Sequence, residues 1–156
     1  MNLYLGVDPG AKGGFAVIAA DGRLVGYDKF RDGVFLAGAI GTIMVTEGDT
    51  INRCYVEKAQ SMPSQGVKSM FTYGTGYGKI LGTLETMLLS YELVPPRKWQ
   101  KKIIPGAPKG ESKKAALIKA KQLFPTESFI LKGCRKPHDG IIDAVLIAEY
   151  GRLLHQ

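Results

Sequence analysis

Four acidic residues stand where their side chains could share a cation. Asp8 follows an alternating apolar run and Glu57 follows a short apolar run, so each carboxylate ends a predicted strand. Asp139 and Asp143 are four positions apart in a predicted helix and share one face. Like charges packed together are costly without a cation, and oxygen-only ligands favour magnesium or manganese over zinc. Two such ions about 4 Å apart would stabilise the attacking and leaving oxygens of a phosphodiester.

Three of these carboxylates also have a purely structural explanation. Asp8 precedes Pro9-Gly10, where an aspartate often stabilises the turn. Asp139 would carry a favourable charge at a helix N-terminus. The structural explanation is weakest for Asp143, because isoleucine and valine surround it and an unpaired carboxylate near a buried face is costly.

The elements that must position these residues are predicted from apolar spacing and turn signals. A meander of strands over residues 2–30, followed by strands alternating with helices, predicts a mixed α/β sheet in one domain, 1–156. If the first and fourth strands are adjacent and parallel, Asp8 and Glu57 emerge side by side, where α/β sheets place their sites. The later elements are predicted as a helix over 33–46, a strand over 52–57, a loop or helix entry over 66–75, a helix over 77–92, a strand at 93–94 and helices over 96–104, 111–124 and 138–155.

The positive charge is concentrated in one region. The net charge is +7, and acidic and basic side chains balance over residues 1–90, so the excess comes from residues 91–156. Many of these basic residues lie close to Trp99, the single tryptophan. A solvated lysine-rich helix face is the plain explanation, but such a concentration favours a surface that faces phosphates.

Composition also argues against several classes of protein. No apolar run reaches the ~18 residues that a membrane span needs, and the N-terminus lacks the pattern of a secretion signal. Cys54 and Cys134 do not form a paired motif. We therefore expect no membrane contact, free thiols in a reducing compartment and no zinc site.

Three motifs resemble those of RuvC-type Holliday junction resolvases, members of the RNase H-like superfamily, and most of all the compact forms of phages and organelles. They are "GVDPGAKGGFAVI", "VEKAQ" and "KPHDGIIDAVLIAEYG", and they occur in this order over nearly the whole chain. A lone "GVDPG" would also fit sugar kinases and related ATPases, but those need two such domains and a second phosphate loop. The chain of 156 residues is too short for that.

The resemblance implies an RNase H-like mixed five-stranded sheet flanked by helices. It implies that Asp8, Glu57, Asp139 and Asp143 hold Mg²⁺ or Mn²⁺, two ions per site. Bacterial members space the closing acidic pair three apart rather than four, so either Asp139 or His138 could complete the set here. Hydrolysis would leave 5′-phosphate and 3′-hydroxyl ends, in the cytoplasm of a bacterial or phage-infected cell or in an organelle matrix or nucleoid.

The resemblance and the charge pattern together suggest which residues meet DNA. Lys113 could offset charge in the transition state, or it could be a plain surface lysine. In the segment after Glu57, Phe71 and Tyr73 could wedge between opened bases or belong to the adjoining core, and the wedge role suits Phe71 better. We expect DNA contacts from Arg97, Lys101, Lys102, Lys113, Lys114 and Phe71.

A four-way junction needs two symmetric cuts, so we expect a twofold homodimer, with the helix from Tyr77 to Leu89 as a candidate dimer surface. Two other functions stay open at this point. An RNase H-like nuclease acting on RNA–DNA hybrids or other branched DNA would share the metal chemistry but recognise its substrate differently. A non-catalytic nucleic-acid-binding protein would share the fold, although the intact set of carboxylates argues against it.

Overall fold

The computed structural model describes residues 2–60 and 66–156, and these form a five-stranded sheet with helices on both faces. The strand order is β3-β2-β1-β4-β5. Strands β1, β2 and β3 form an antiparallel meander, whereas β4 runs parallel to β1 and β5 parallel to β4. The elements are β1 (Leu3–Asp8), β2 (Gly14–Ala19), β3 (Leu24–Lys29), α1 (Gly33–Glu47), β4 (Ile51–Glu57), α2 (Val67–Thr86), β5 (Tyr91–Val94), α3 (Pro96–Ile103), α4 (Ser112–Leu123) and α5 (Asp139–Leu153).

This architecture is the RNase H-like mixed α/β fold expected from the sequence. The structure also has the strand arrangement that the sequence analysis required for Asp8 and Glu57 to lie side by side. Strands β1 and β4 are adjacent and parallel, so Asp8 and Glu57 end neighbouring strands at the same edge of the sheet. Within the described residues, no helix has the length and apolar character that crossing a membrane requires.

Strand β1 supplies side chains to two separate cores. Leu3, Leu5 and Val7 face the layer of α1 and α2, where they pack with buried residues such as Leu36 and Ile80. The alternate positions face the layer of α3, α4 and α5, as Tyr4 does. Because both faces of the sheet are covered, β1 is buried along nearly its whole length, which fixes the position of the aspartate at its end.

Helix α5 lies against the sheet at unusually short range, and glycines make this possible. A Cβ atom added to Gly6 in β1 would collide with the backbone of Ala144 and Ala148 in α5. At the start of the helix, Gly13 and Gly140 form an isolated parallel bridge, and a Cβ on Gly140 would collide with the backbone of Lys12 and Gly13. The first turn of α5 therefore touches the turn that follows Asp8.

The structure corrects the sequence prediction in one region. Residues 66–75 were expected to form a loop or helix entry and 77–92 a helix, but one helix, α2, covers Val67–Thr86, and Tyr91 and Glu92 belong to β5. Residues 61–65, which precede this segment, lie outside the described residues. Glycine has low helix propensity, which argued against a helix over 66–75, but this segment continues the helix that Ile80 and Leu84 anchor in the core, and Tyr73 stacks on Tyr77 across the junction.

The close approach of α5 predicts that Gly140→Ala is costly. The added Cβ would meet backbone atoms that have nowhere to move, so we expect a loss of about 3 kcal/mol in the free energy of unfolding. Gly78→Ala is the matched control, because it lies in α2 with open space around it, and it should be stabilising by roughly 0.5–1 kcal/mol. Urea unfolding of both variants measures this. Equal, small effects would show that α5 does not contact the turn this closely.

Candidate functional site

The site begins at the carboxyl ends of β1 and β4. Val7 pairs with Val56, so Asp8 and Glu57 follow directly on adjacent parallel strands. Asp8 also has the structural role considered above, because its Oδ1 accepts a hydrogen bond of 3.0 Å from the Gly10 amide. The structural interpretation of Asp8 is therefore confirmed, and the turn fixes the carboxylate at the edge of the sheet, where a cation could reach it.

Helix α5 adds Asp143 to this pair. The Gly13–Gly140 contact anchors the first turn of the helix beside Asp8, and Asp143 follows one turn later on a helix that is otherwise deeply buried. Asp143 lies within electrostatic range of Asp8, Glu57 and Asp139. The fold thus brings all four predicted carboxylates into one negatively charged neighbourhood.

Burial and mutual repulsion make this neighbourhood unfavourable for negative charge. Burial, reinforced by the charges of Asp8, Glu57 and Asp139, raises the pKa of Asp143 to about 7. Burial likewise raises the pKa of Glu57 to about 6 and shifts the pKa of Asp8 upward. Three half-buried carboxylates with raised pKa values are typical of a cation site in which no cation neutralises the negative charges.

The four carboxylates are near one another but not clustered at ligand spacing. Among residues 2–60 and 66–156, no three His, Cys, Asp or Glu side chains stand close enough to hold a metal ion. Asp139 instead pairs with Lys113, whose Nζ donates to Oδ2 at 2.9 Å, and Glu57 is bonded to Trp99. The donor set still fits a hard divalent cation, because it consists of carboxylate oxygens whose repulsion such a cation would relieve.

His138 lies just outside the last helix, although the sequence predicted a helix over 138–155. The helix begins at Asp139, and His138 is its N-cap, with Nδ1 accepting from the Ile141 amide at 3.3 Å. His138 is nevertheless within electrostatic range of Asp8. A capping role accounts for its direction without making it a metal ligand.

Two features of the site escaped the sequence analysis. Trp99 Nε1 donates to Glu57 Oε2 at 2.7 Å, across 42 positions of the chain. A cleft of about 460 Å³ opens beside the turn after Asp8, and Arg31, Lys68 and Tyr73 are among the residues that line it. The sum of charge over residues 1–90 hid the second feature, because acidic residues elsewhere in that range balance Arg31 and Lys68 in the count.

The predicted DNA-binding residues fall into groups. Arg97 and Lys101 line a cleft of about 410 Å³ between α3 and the loop before α4, together with Lys109. Lys102 and Lys114 are exposed on α3 and α4 respectively. These side chains form a basic surface along the two helices, which is consistent with the concentration of charge seen in the sequence.

The aromatic residues of α2 divide as the sequence suggested. Phe71 is 77% exposed near the start of the helix. Tyr73 is half-buried and stacks on Tyr77, with ring centroids 6.4 Å apart, and it lies within electrostatic range of Asp8 and Glu57. Both residues belong to a helix rather than the predicted loop, and Phe71 is the one free to meet a partner.

The pKa of Asp143 gives a stability prediction in the absence of metal. Its pKa is raised from 3.8 to about 7, so the folded state retains a proton that the unfolded state releases. The carboxyl therefore destabilises the fold increasingly as pH rises from about 4 to about 7. In EDTA, Asp143→Asn should raise the free energy of unfolding, by roughly 2–3 kcal/mol more at pH 8 than at pH 5.

Urea unfolding at the two pH values checks this result. Asp21→Asn is the control, because it removes an exposed carboxylate from the β2–β3 hairpin. An Asp143→Asn gain that is the same at both pH values would contradict the burial of a charged group at this position.

Comparison with known proteins supports the architecture. No protein-family model matches the sequence, and no curated protein matches it. The structure of Thermus thermophilus RuvC superposes with a TM-score of 0.67 at 14% identity, covering 98% of this chain and 95% of that one. The structure of T. thermophilus RuvC in complex with Holliday junction substrate gives 0.66 at 15% identity, with the same coverage. The chain therefore has the RuvC fold from end to end.

Proposed function

We propose that this chain is a structure-selective endonuclease that resolves four-way DNA junctions by paired, metal-dependent hydrolysis, leaving 5′-phosphate and 3′-hydroxyl ends. The observation that carries the proposal is the convergence of Asp8, Glu57 and Asp143 at one edge of a RuvC-type sheet, with charges that repel one another. Such a substrate would place the protein in a bacterial or phage-infected cytoplasm, or in an organelle matrix or nucleoid.

The four carboxylates would act together with one basic side chain, Lys113. Asp8, Glu57, Asp139 and Asp143 would hold magnesium or manganese, two ions per site, which supply Lewis-acid activation and charge stabilisation for an in-line displacement. The Lys113 side chain is 76% exposed and reaches Asp139 by an ion pair. Once a cation competes for Asp139, the ammonium group is free to turn towards a phosphate and offset charge in the transition state.

The basic surface leads directly to these carboxylates. The cleft lined by Arg97 and Lys101 extends to Ser112 at the start of α4, and Lys113 is the next residue. A strand whose phosphates follow this cleft therefore arrives at the pair of Lys113 and Asp139. Lys102 and Lys114 would add contacts at the margins, and Phe71 would stack on a base opened at the crossover.

Two symmetric cuts require two copies of the site, so the proposal includes a twofold homodimer. Helix α2 remains the candidate surface. It borders an apolar groove shared with α1, lined by Val34, Ala37 and Met87 among others, and Val34 is strongly exposed. Burial of this groove against a second copy would place the two carboxylate sites on one assembly.

The first functional prediction concerns the carboxylates. Asp8→Asn, Glu57→Gln and Asp143→Asn should abolish cleavage of a synthetic four-way junction in Mg²⁺, because each removes a negatively charged ligand, while junction binding persists. Single-turnover cleavage beside duplex, flap and RNA–DNA hybrid substrates measures both activity and preference. Full activity of Asp8→Asn, or preferential cleavage of the hybrid, would contradict the proposal.

Three further variants are tested in the same assay, and His138→Asn is the control among them. Asp139→Asn should reduce cleavage severely, whereas His138→Asn should leave it nearly unchanged, since asparagine retains the cap but removes the imidazole. Lys113→Ala should slow cleavage by about 10²–10³-fold if the lysine stabilises the transition state. A dead His138→Asn beside a normal Asp139→Asn would make histidine the fourth ligand.

The second functional prediction concerns the basic surface. Replacing Lys101 and Lys102 together with alanine should reduce the magnitude of the slope of log affinity against log salt by about 2, because two phosphate contacts are lost. Binding is measured with the junction in EDTA at a series of salt concentrations. Arg53→Ala removes an exposed charge near the amino end of β4, far along the strand from Glu57, and should leave the slope unchanged. An unchanged slope in the double variant would place the DNA elsewhere.

A further inference from the structure

Trp99 is the single tryptophan of the chain and is almost completely buried, with 1% of its surface exposed. The only polar atom of an indole is its N–H donor, and a buried donor needs an acceptor. Here the acceptor is the Oε2 atom of Glu57, at 2.7 Å. The hydrogen bond of the buried Trp99 is therefore made to Glu57, one of the proposed metal ligands.

Glu57 and Trp99 are linked through strand β5, and only a few backbone-restricted residues separate the end of β5 from Trp99. Glu57 pairs with Val94 at the end of β5, and the Lys58 amide donates to the Val94 carbonyl at 2.8 Å. Pro95 and Pro96 follow directly, and each has a restricted backbone. Helix α3 then starts at Pro96 and returns Trp99 to the Glu57 side chain after a single turn.

Packing holds the indole in this position. Trp99 and Ile103 are one turn apart on α3 and both enter the core beneath α5. The opposite side of the same helix carries the exposed Arg97 and Lys101. Because the indole is fixed by its neighbours, the hydrogen bond restricts the rotamer of Glu57 rather than the reverse.

We propose that Trp99 is a positioning residue: its indole N–H holds one oxygen of Glu57 so that the carboxylate is preorganised to bind the divalent cation. This inference rests on the proposed function for the identity of the ligand. It goes beyond that function by naming a group outside the carboxylate set on which metal affinity depends. Groups that orient a ligand in this way typically contribute about 10–100-fold to metal affinity.

The first test measures Mn²⁺ binding to the metal-free, full-length protein by electron paramagnetic resonance of the free ion. Trp99→Phe keeps an aromatic ring but removes the donor, and should weaken binding about 10-fold or more. Ile103→Ala is the matched control, since it opens the same core one turn away without removing a partner of Glu57. It should lower the melting temperature and leave Mn²⁺ affinity unchanged.

Unaltered Mn²⁺ affinity in Trp99→Phe would overturn the inference, as would equal weakening in Ile103→Ala, which would show a loss of general packing. Failure of the wild-type protein to bind Mn²⁺ would overturn it as well. Neither measurement involves DNA. A protein that binds Mn²⁺ in a Trp99-dependent way but leaves junctions intact would therefore refute the proposed function and support this inference.

The second test needs no change at Trp99 and serves even where Trp99→Phe does not fold. A single tryptophan gives a single indole N–H resonance in a ¹H–¹⁵N spectrum. This resonance should move on addition of Mg²⁺ to the wild-type protein and should be displaced in Glu57→Gln, while Asp21→Asn should leave it in place. An indole resonance that responds neither to Mg²⁺ nor to Glu57→Gln would overturn the inference.

Discussion

The close approach of helix α5 to strand β1 is the constraint on which the rest of the structure depends. At Gly6 in the strand, and at Gly140 where the helix begins, backbone lies against backbone with no room for a side chain. Any other residue at these points would push the helix outwards. The helix carries Asp139 and Asp143, so the same displacement would move both carboxylates away from Asp8 and disrupt the candidate site.

This geometry has an electrostatic consequence. The helix can reach the sheet only by burying Asp143 beside Asp8 and Glu57, and burial of like charges opposes ionisation of all three. The surrounding chain offsets part of this cost through donors, namely the indole of Trp99 and the ammonium group of Lys113. A divalent cation would offset much more of this electrostatic cost. We therefore infer that the repelling carboxylates serve to bind a metal and do not serve to stabilise the fold.

Much of this arrangement could be predicted from the sequence, because it depends on local patterns. Alternation in β1 and the acidic residue at the end of each buried strand indicated Asp8 and Glu57, and helical spacing indicated Asp139 and Asp143. The extent of α2 could not be predicted in the same way. Its glycines signal a loop in the first half of the helix, but that half continues the predicted helix that Ile80 and Leu84 anchor in the core, and Tyr73 stacks on Tyr77 where the two halves join.

Contacts between side chains distant in sequence were beyond prediction. Trp99 stood out only as an aromatic residue among lysines, whereas in the structure it is buried and hydrogen-bonded to Glu57. His138 was predicted to lie inside the last helix, but the helix begins at Asp139 and His138 is its N-cap. In both cases the residue type was informative, and the partner was decided by the packing of α3 and α5 around the sheet.

The central claim is that the glycine-mediated contact of α5 assembles a carboxylate site for divalent cations. Anomalous diffraction from crystals soaked in Mn²⁺ tests it most directly, because manganese is located without assumptions about activity. The account predicts anomalous peaks bound by Asp8, Glu57 and Asp143 at the carboxyl ends of β1 and β4. Well-ordered crystals that show no manganese at this edge of the sheet, or show it bound only elsewhere, would contradict the account.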